Sequence, residues 1–342
     1  MDTTALLQAT INDIAQKGRG ILAADESTPT IAKRFRDIGA ESTEQNRCAW
    51  RSLLVTTPGL GHYLSGMILF EETLQQTLAS GQSIADAAWS QKIVPGIKVD
   101  KGFIDLALSP GDKITQGLDG LAGRLQLYKE QGARFAKWRE VYPIASHVPS
   151  RHGIEANAEV LARYAAVCQA EGVVPIVEPE VLMDGDHDID RHAAVTEVVL
   201  QAVFEALHRH RVQLELIILK PNMVLPGKDC RRASPEEVAT ATLTILKRTV
   251  PAAVPTINFL SGGQEAEEAT RNLNEINRQG IGLPWQLSIS YGRALQQPAL
   301  HLWQGKTENV IAAQYALLKR ARLNHLAMLG EYESFMEQQE AV

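Results

Sequence analysis

The sequence predicts a (β/α)8 barrel, the TIM-barrel architecture, with extra helices at both ends, and three observations carry that expectation. Eight short apolar runs bounded by turn residues recur along the chain. Most are separated by stretches with helical apolar spacing, the order that builds parallel βα units. The runs are continuously apolar rather than alternating, as in strands covered on both faces. Such a barrel takes about 250 residues, so a chain of 342 leaves room for added helices within one domain, 1–342. An open doubly wound sheet is the competing architecture, and it needs a phosphate loop after its first strand.

The opening segment MDTTALLQATINDIAQKG reads as an amphipathic helix, since it lacks the basic start and apolar core of a leader. GILAAD (20–25) is the first strand. Gly18, Gly20 and Ala23 formally spell G-x-G-x-x-A, but the dinucleotide fingerprint follows a strand and this one precedes it. DEST then reads as a helix cap. GMILF, VPGIKVD, ARFAKW and VPIVEPE are the next four strands, with a helix over 156–172 before the last of them. DGDHDID (184–190) reads as a solvated loop entering a helix over 191–211, whose end is HRHR. LIILKPN is the sixth strand. Ser234 three residues before Glu237, with Pro235 between, forms a capping box for a helix over 234–250. PTINFLSGG and WQLSISYGR complete the series, and 327–342 reads as a flexible tail.

Net charge is −6 with both signs interspersed, so no basic stripe invites nucleic acid. No apolar run reaches the roughly 20 residues of a membrane span. Cys48, Cys168 and Cys230 are far apart with no CxxC, which suggests neither disulfides nor zinc and points to the cytoplasm.

Chemistry concentrates at strand ends. The first ends in Asp25, the third in Lys98, the fourth in Lys137 and Arg139, the fifth in Glu178 and Glu180, the sixth in Lys220. In a barrel these ends share one mouth, where active sites sit. Residues two apart on a strand point the same way, so Lys137 and Arg139, like Glu178 and Glu180, enter one space. One charged strand end is ordinarily a solvated terminus; five carrying acid or base at the same end are not explained by solvation.

After strands seven and eight come Ser261, Gly262 and Gly263, then Ser290, Gly292 and Arg293, each before a helical stretch. Glycines let backbone N–H groups approach an anion, and those two loops are the usual phosphate site of a barrel. A second group, Ser27, Thr30, Lys33, Arg34 and Lys98, suits another phosphate. Lys220, on a rigid buried strand and crowded by Lys137, would have its ammonium form disfavoured by desolvation and like charge. A neutral amine attacks a carbonyl, and the imine is an electron sink for breaking a carbon–carbon bond. Glu178, Glu180 and Asp25 are then available to move protons. The bland alternative is a buried Lys220–Glu178 ion pair without chemistry.

GILAADEST, GIKVDKG, QGLDGL, FAKWR, VPIVEPE, LARYA, LKPNMV, FLSGGQ and SYGRAL together resemble class I fructose-bisphosphate aldolases, the metal-free, lysine-dependent kind, from about residue 11 to about 332. The resemblance implies Lys220 as the Schiff-base lysine, Glu178 as the acid/base that dehydrates the carbinolamine, and Asp25 as the group handling the C4 hydroxyl proton. It implies that Lys137 and Glu180 position and tune that lysine. Ser261, Gly262 and Arg293 then resemble the C1 phosphate site, and Ser27, Lys98 and Arg139 lie near the C6 phosphate. The substrates implied are phosphorylated ketoses and trioses, with no cofactor, no metal and a homo-oligomer, a tetramer by resemblance. A familiar DESTGS-type loop is here DESTPT, with Pro29 and Thr30. Many members end in a tyrosine that assists proton exchange at C3; this chain ends EQQEAV and its last tyrosine is Tyr332, so Tyr332, a water or no group is left for that step. A transaldolase-like Schiff-base barrel and a non-catalytic sugar-phosphate-binding barrel are the alternatives.

Overall fold

Eight parallel strands close into a barrel in chain order: β1 (Gly20–Ala24), β2 (Leu64–Leu69), β3 (Val94–Lys98), β4 (Phe135–Tyr142), β5 (Val174–Val181), β6 (Ile218–Leu219), β7 (Thr256–Phe259) and β8 (Gln286–Tyr291). The structure, a computed structural model, describes residues 2–339. Each strand coincides with one of the apolar runs, and helices surround the barrel.

Alternation along the strands divides two cores. Ile21, Ala23, Phe135, Val174, Ile176 and Ile218 point inward, where the helix Thr3–Ile14 closes the N-terminal end with Leu7, Ile11 and Ile14. Leu22, Ala24, Ala136, Trp138, Val177 and Leu219 point outward under the helices. The Phe135 ring fills the barrel interior because Gly96 leaves it room: a Cβ there would lie 2.2 Å from the ring. Above this apolar floor the same inward rows turn charged, Phe135 giving way to Lys137 and Arg139, Ile176 to Glu178 and Glu180, Ile218 to Lys220.

Three boundaries depart from the sequence reading. β6 pairs over only Ile218–Leu219, with Leu214–Leu216 a 3-10 turn, because Pro221 has no N–H to continue the ladder. A two-stranded antiparallel hairpin, Phe103–Asp105 with Lys113–Thr115, lies between β3 and β4, its three-residue strands too short to show a period. Position 327, taken as the start of a flexible tail, falls inside the helix Val310–Leu329, which ends at Gly330 in the left-handed conformation, φ 74°. Met328 within that helix and Tyr332 beyond it are buried, and Arg320 pairs with Glu337. Residues 340–342 lie outside the described residues.

The remaining elements follow their signals. The helix Pro235–Thr249 begins with the predicted capping box, Ser234 and Glu237 each satisfying the other's backbone N–H. The helices Arg151–Ala170 and Ile189–Arg209 occupy the two long helical stretches, the second capped by Asp188. His187 is buried rather than solvated, its ring stacked on His192 at 5.4 Å.

Candidate active site

A cavity of about 630 Å³ opens at the C-terminal mouth of the barrel, and it collects the catalytic and binding residues singled out in the sequence, Lys33 excepted. Asp25, Lys98, Lys137, Arg139, Glu178, Glu180 and Lys220 enter it from strand ends. Ser27, Thr30 and Arg34 enter from the start of the helix Thr28–Asp37. Ser261, Gly262, Gly263, Ser290, Gly292 and Arg293 enter from the loops after β7 and β8. Lys33 is exposed and does not line the cavity.

The charged groups form an alternating chain. Lys220 Nζ stands 3.0 Å from Glu178 Oε1, and the other oxygen of Glu178 stands 3.3 Å from Lys137 Nζ. Lys137 lies 2.7 Å from Asp25 Oδ2 and 4.0 Å from Asp100. Asp100 in turn accepts from Lys98 at 2.6 Å, and Arg139 donates to Glu180. A carboxylate therefore separates Lys220 from Lys137, where the sequence suggested two cations crowding each other. The register sets Arg139 opposite Glu178, while Lys98 and Lys137, partners on adjacent strands, have Asp100 between them.

The backbone explains why these side chains are fixed. Lys220 N donates to Val177 O at 2.9 Å, so Lys220 stays in register with β5 although the ladder has ended. Pro221 then turns the chain, and its carbonyl accepts from Leu260 N at 3.0 Å. Asn222 Oδ1 accepts from Val181 N at 2.9 Å, pinning the end of the strand that carries Glu178 and Glu180. The LKPN sequence thus anchors a lysine between two neighbouring strands.

Burial by itself would push Lys137 down, but Asp25, Glu178 and Asp100 outweigh it and hold its ammonium far above the ordinary lysine range. Burial likewise works to raise Asp25, yet Lys137, Lys220 and Lys98 overcome it and hold the carboxyl well below the usual carboxylate range. Arg139 is raised against its burial by Glu180. Asp25 is accordingly a carboxylate at neutral pH and Lys137 a fixed cation.

The two anion-binding groups differ in construction. Gly263 adopts φ 72°, and a Cβ there would sit 1.7 Å from Met183 Sδ. A Cβ on Gly262 would sit 2.9 Å from Glu180 Oε1, so close approach disfavours a side chain at both positions, and conformation adds to it at Gly263. Arg293 Nη2 donates to Gln264 O at 2.9 Å, tying the loop after β8 to the loop after β7. Ser290 Oγ is buried without a protein partner among the described residues. On the other side, Ser27 and Thr30 hydroxyls lie 3.1 Å apart, and Ser27 precedes the helix without the side-chain cap bond that DEST suggested. Arg34 reaches toward the first group: its Nη2 would be 3.9 Å from a Cβ on Gly292. It stands between the two groups rather than wholly in the second.

Glu26 and Asp100 line the cavity and were passed over in the sequence, as were Glu71, Lys101 and Phe103. The signal for Asp100 was available, since it lies two residues after Lys98 and alternation aims both alike. Glu26 had no such signal: alternation would aim the neighbour of Asp25 the other way, yet Glu26 lies beyond the end of β1 and lines the cavity. Tyr332 lies away from the cavity, its hydroxyl 3.0 Å from Glu337 Oε1. Among the described residues no group of three or more His, Cys, Asp or Glu is arranged to hold a metal ion, and no helix is long and apolar enough to cross a membrane.

Comparison with known proteins gives concordant results. A family model described as fructose-bisphosphate aldolase class-I matches residues 6–342. The chain is 56% identical over 319 residues to cytosolic fructose-bisphosphate aldolase 5 of Arabidopsis thaliana, covering 93% of this chain and 89% of that protein. It is 54% identical to fructose-bisphosphate aldolase of Drosophila melanogaster, over 95% of this chain and 92% of that one. Among solved structures, fructose-bisphosphate aldolase from Plasmodium falciparum, in complex with TRAP and a small-molecule inhibitor, superposes with a TM-score of 0.96 at 49% identity, covering 97% of this chain and 96% of that one.

Proposed function

The chain belongs to the class-I fructose-bisphosphate aldolase family, and from that premise we propose how its own residues divide the work. The reaction is the reversible cleavage of fructose 1,6-bisphosphate to dihydroxyacetone phosphate and glyceraldehyde 3-phosphate through a lysine Schiff base, with the imine in the place a metal would take. The compartment is that of its relatives named cytosolic.

Lys220 is the nucleophile. Its amine adds to the C2 carbonyl, and Glu178, 3.0 Å away, gives the proton with which the carbinolamine loses water. The protonated imine draws the electrons of the C3–C4 bond into an enamine as the C4 hydroxyl proton passes to Asp25, which Lys137 keeps ionised and able to accept. The aldehyde leaves, C3 is protonated, and water releases the ketone. Glu180 and Arg139 orient one another beside this chain. Ser261, Gly262, Gly263, Ser290, Gly292 and Arg293 hold one phosphate; Ser27, Thr30, Lys98 and Arg139, with Arg34 at the border, hold the other. The whole chain is one barrel domain, and it assembles as a homo-oligomer.

One observation carries this assignment: the buried run Lys220, Glu178, Lys137, Asp25, in which a candidate nucleophile touches a candidate proton carrier. Two anion groups at opposite sides of the cavity favour a bisphosphate over the monophosphates of a transaldolase. Borohydride reduction with dihydroxyacetone phosphate, followed by peptide mass mapping, tests it. An adduct on Lys220, absent in Lys220→Met, is expected; an adduct on Lys137 would overturn the assignment.

A further inference from the structure

Beside the reaction centre lies a second buried charge cluster that takes no part in the chemistry above. Glu26, 7% exposed, lies two residues beyond the end of β1. Its Oε1 accepts from Arg34 and, at 2.8 Å, from Gln296 Nε2. Its Oε2 stands 2.5 Å from Nη1 of Arg51, which is 3% exposed, on the helix Glu44–Val55. Gln296, on the helix Arg293–Trp303, is fixed in turn: Trp50 Nε1 donates to its oxygen at 3.1 Å, and its nitrogen also donates to Ala23 O at 2.6 Å. One carboxylate thus ties together the end of β1, the helix carrying Arg34, the helix carrying Arg51 and the helix that begins at Arg293.

The charges decide what the cluster does. Burial works to raise Glu26, but Arg34 and Arg51 overcome it and hold the carboxyl below its ordinary range. A Glu26–Arg34 pair alone would cancel, and Arg34 would reach the cavity with its charge spent on its own tether. Arg51, buried and unable to meet substrate, supplies the second positive charge. The triad keeps one net positive charge, and the only cation of the three that lines the cavity is Arg34.

We infer that Arg51 and Glu26 are positioning residues that hold Arg34 as a phosphate-binding arm, Glu26 fixing its direction and Arg51 offsetting the charge that this tether consumes. The inference rests on the proposed phosphate sites and adds to them the device that keeps one of their arginines both oriented and available. It also makes the arm's position depend on the helix bearing Arg293, through Gln296, so that the two phosphate groups are set in one frame.

The experiment uses the full-length enzyme and the variants Arg51→Met, Arg51→Lys and Arg34→Met. Measured are KM and kcat for fructose 1,6-bisphosphate, and the inhibition constant of inorganic phosphate. Removing one charge at this range is expected to raise both KM and the phosphate constant of Arg51→Met about tenfold, with kcat at saturation changed less than about twofold. Arg51→Lys, which restores the charge, should recover most of the loss. Borohydride trapping on Lys220 reports separately whether the reaction centre survives in each variant. If Arg34→Met raises KM and Arg51→Met does not, the triad inference is overturned while the phosphate sites stand. If neither does, the assignment of Arg34 to phosphate is itself wrong. Parallel loss of kcat and of trapping in Arg51→Met, unrecovered by lysine, would show a role in folding alone and overturn the inference.

Discussion

Lys137→Met removes the cation at the centre of the charge chain, and the structure sets the size of the effect. Three carboxylates lie 2.7, 3.3 and 4.0 Å from the Lys137 ammonium, which is 4% exposed. At an effective dielectric near 20 each attraction is about 4–6 kcal/mol, opposed by a desolvation penalty of several kcal/mol per ion. Removing one partner of such a buried arrangement leaves acids uncompensated, with a net loss of about 3–5 kcal/mol. The methionine fills most of the lysine's volume, so little of this comes from a cavity.

The loss must depend on pH, and its sign follows from the acids left behind. Without Lys137, the burial of Asp25 loses its main counterweight, which raises its folded pKa above that of the unfolded chain. A carboxyl raised on folding loses stability as pH rises, so the gap between variant and parent should widen from about pH 5 to about pH 7.5. Urea titrations at those two values measure it. A gap below about 1 kcal/mol at both values, or one that narrows as pH rises, would refute the premise that Lys137 compensates these acids.

Two further outcomes are expected. Gly263→Ala places a side chain at φ 72° and against Met183, so it should cost about 1–2 kcal/mol and raise KM for the bisphosphate as the loop shifts, read by urea titration with steady-state kinetics. Glu140 lies buried, accepting from Trp138 Nε1 at 2.8 Å and Thr115 N at 3.2 Å, and burial pushes its carboxyl up to about 8 from 4.5. A raised carboxyl contributes stability that is complete below the unfolded value and drains away as pH climbs to about 8; urea titrations across that window should show a decline in the parent that Glu140→Gln lacks, and an equal decline in both would count against it.

The barrel was legible because its strands are punctuated and apolar, and because charge repeatedly appears two residues beyond the last inward aliphatic. Phe135, Lys137 and Arg139 show the rule in one strand: a period of two read upward from the floor carries straight into the site. What escaped reading were relations that no single segment contains. That Glu178 intervenes between Lys220 and Lys137 depends on the stagger of β4, β5 and β6, which places acid opposite base across strands. That Glu26 binds Arg51 depends on where a helix twenty-five residues later happens to lie. The short extent of β6 depends on the loss of a donor at Pro221, whereas the run LIILKPN is apolar well beyond the paired part. Whether Tyr332, a water or no group serves the C3 proton was left open by the sequence, and the burial of Tyr332 beside the last helix is a placement set by tertiary packing.

The charge chain also explains why the reaction can proceed in so buried a place. Asp25, Asp100, Glu178 and Glu180 are matched by Lys98, Lys137, Arg139 and Lys220, four acids by four bases, so the centre carries no net charge to be stabilised in low dielectric. In the mechanism proposed above, Glu178, 3.0 Å from Lys220, is left as a carboxylate beside the protonated imine once its proton has gone with the water. When the C3–C4 bond breaks in that proposed mechanism, the imine loses its positive charge and Asp25, taking the hydroxyl proton, loses its negative one. The two charges vanish together on either side of Lys137, which stays protonated throughout because it is held far above the ordinary lysine range. The bond-breaking step thus removes one charge of each sign and leaves the net charge unchanged, and a rigid ring of strand ends can accommodate it without reorganising.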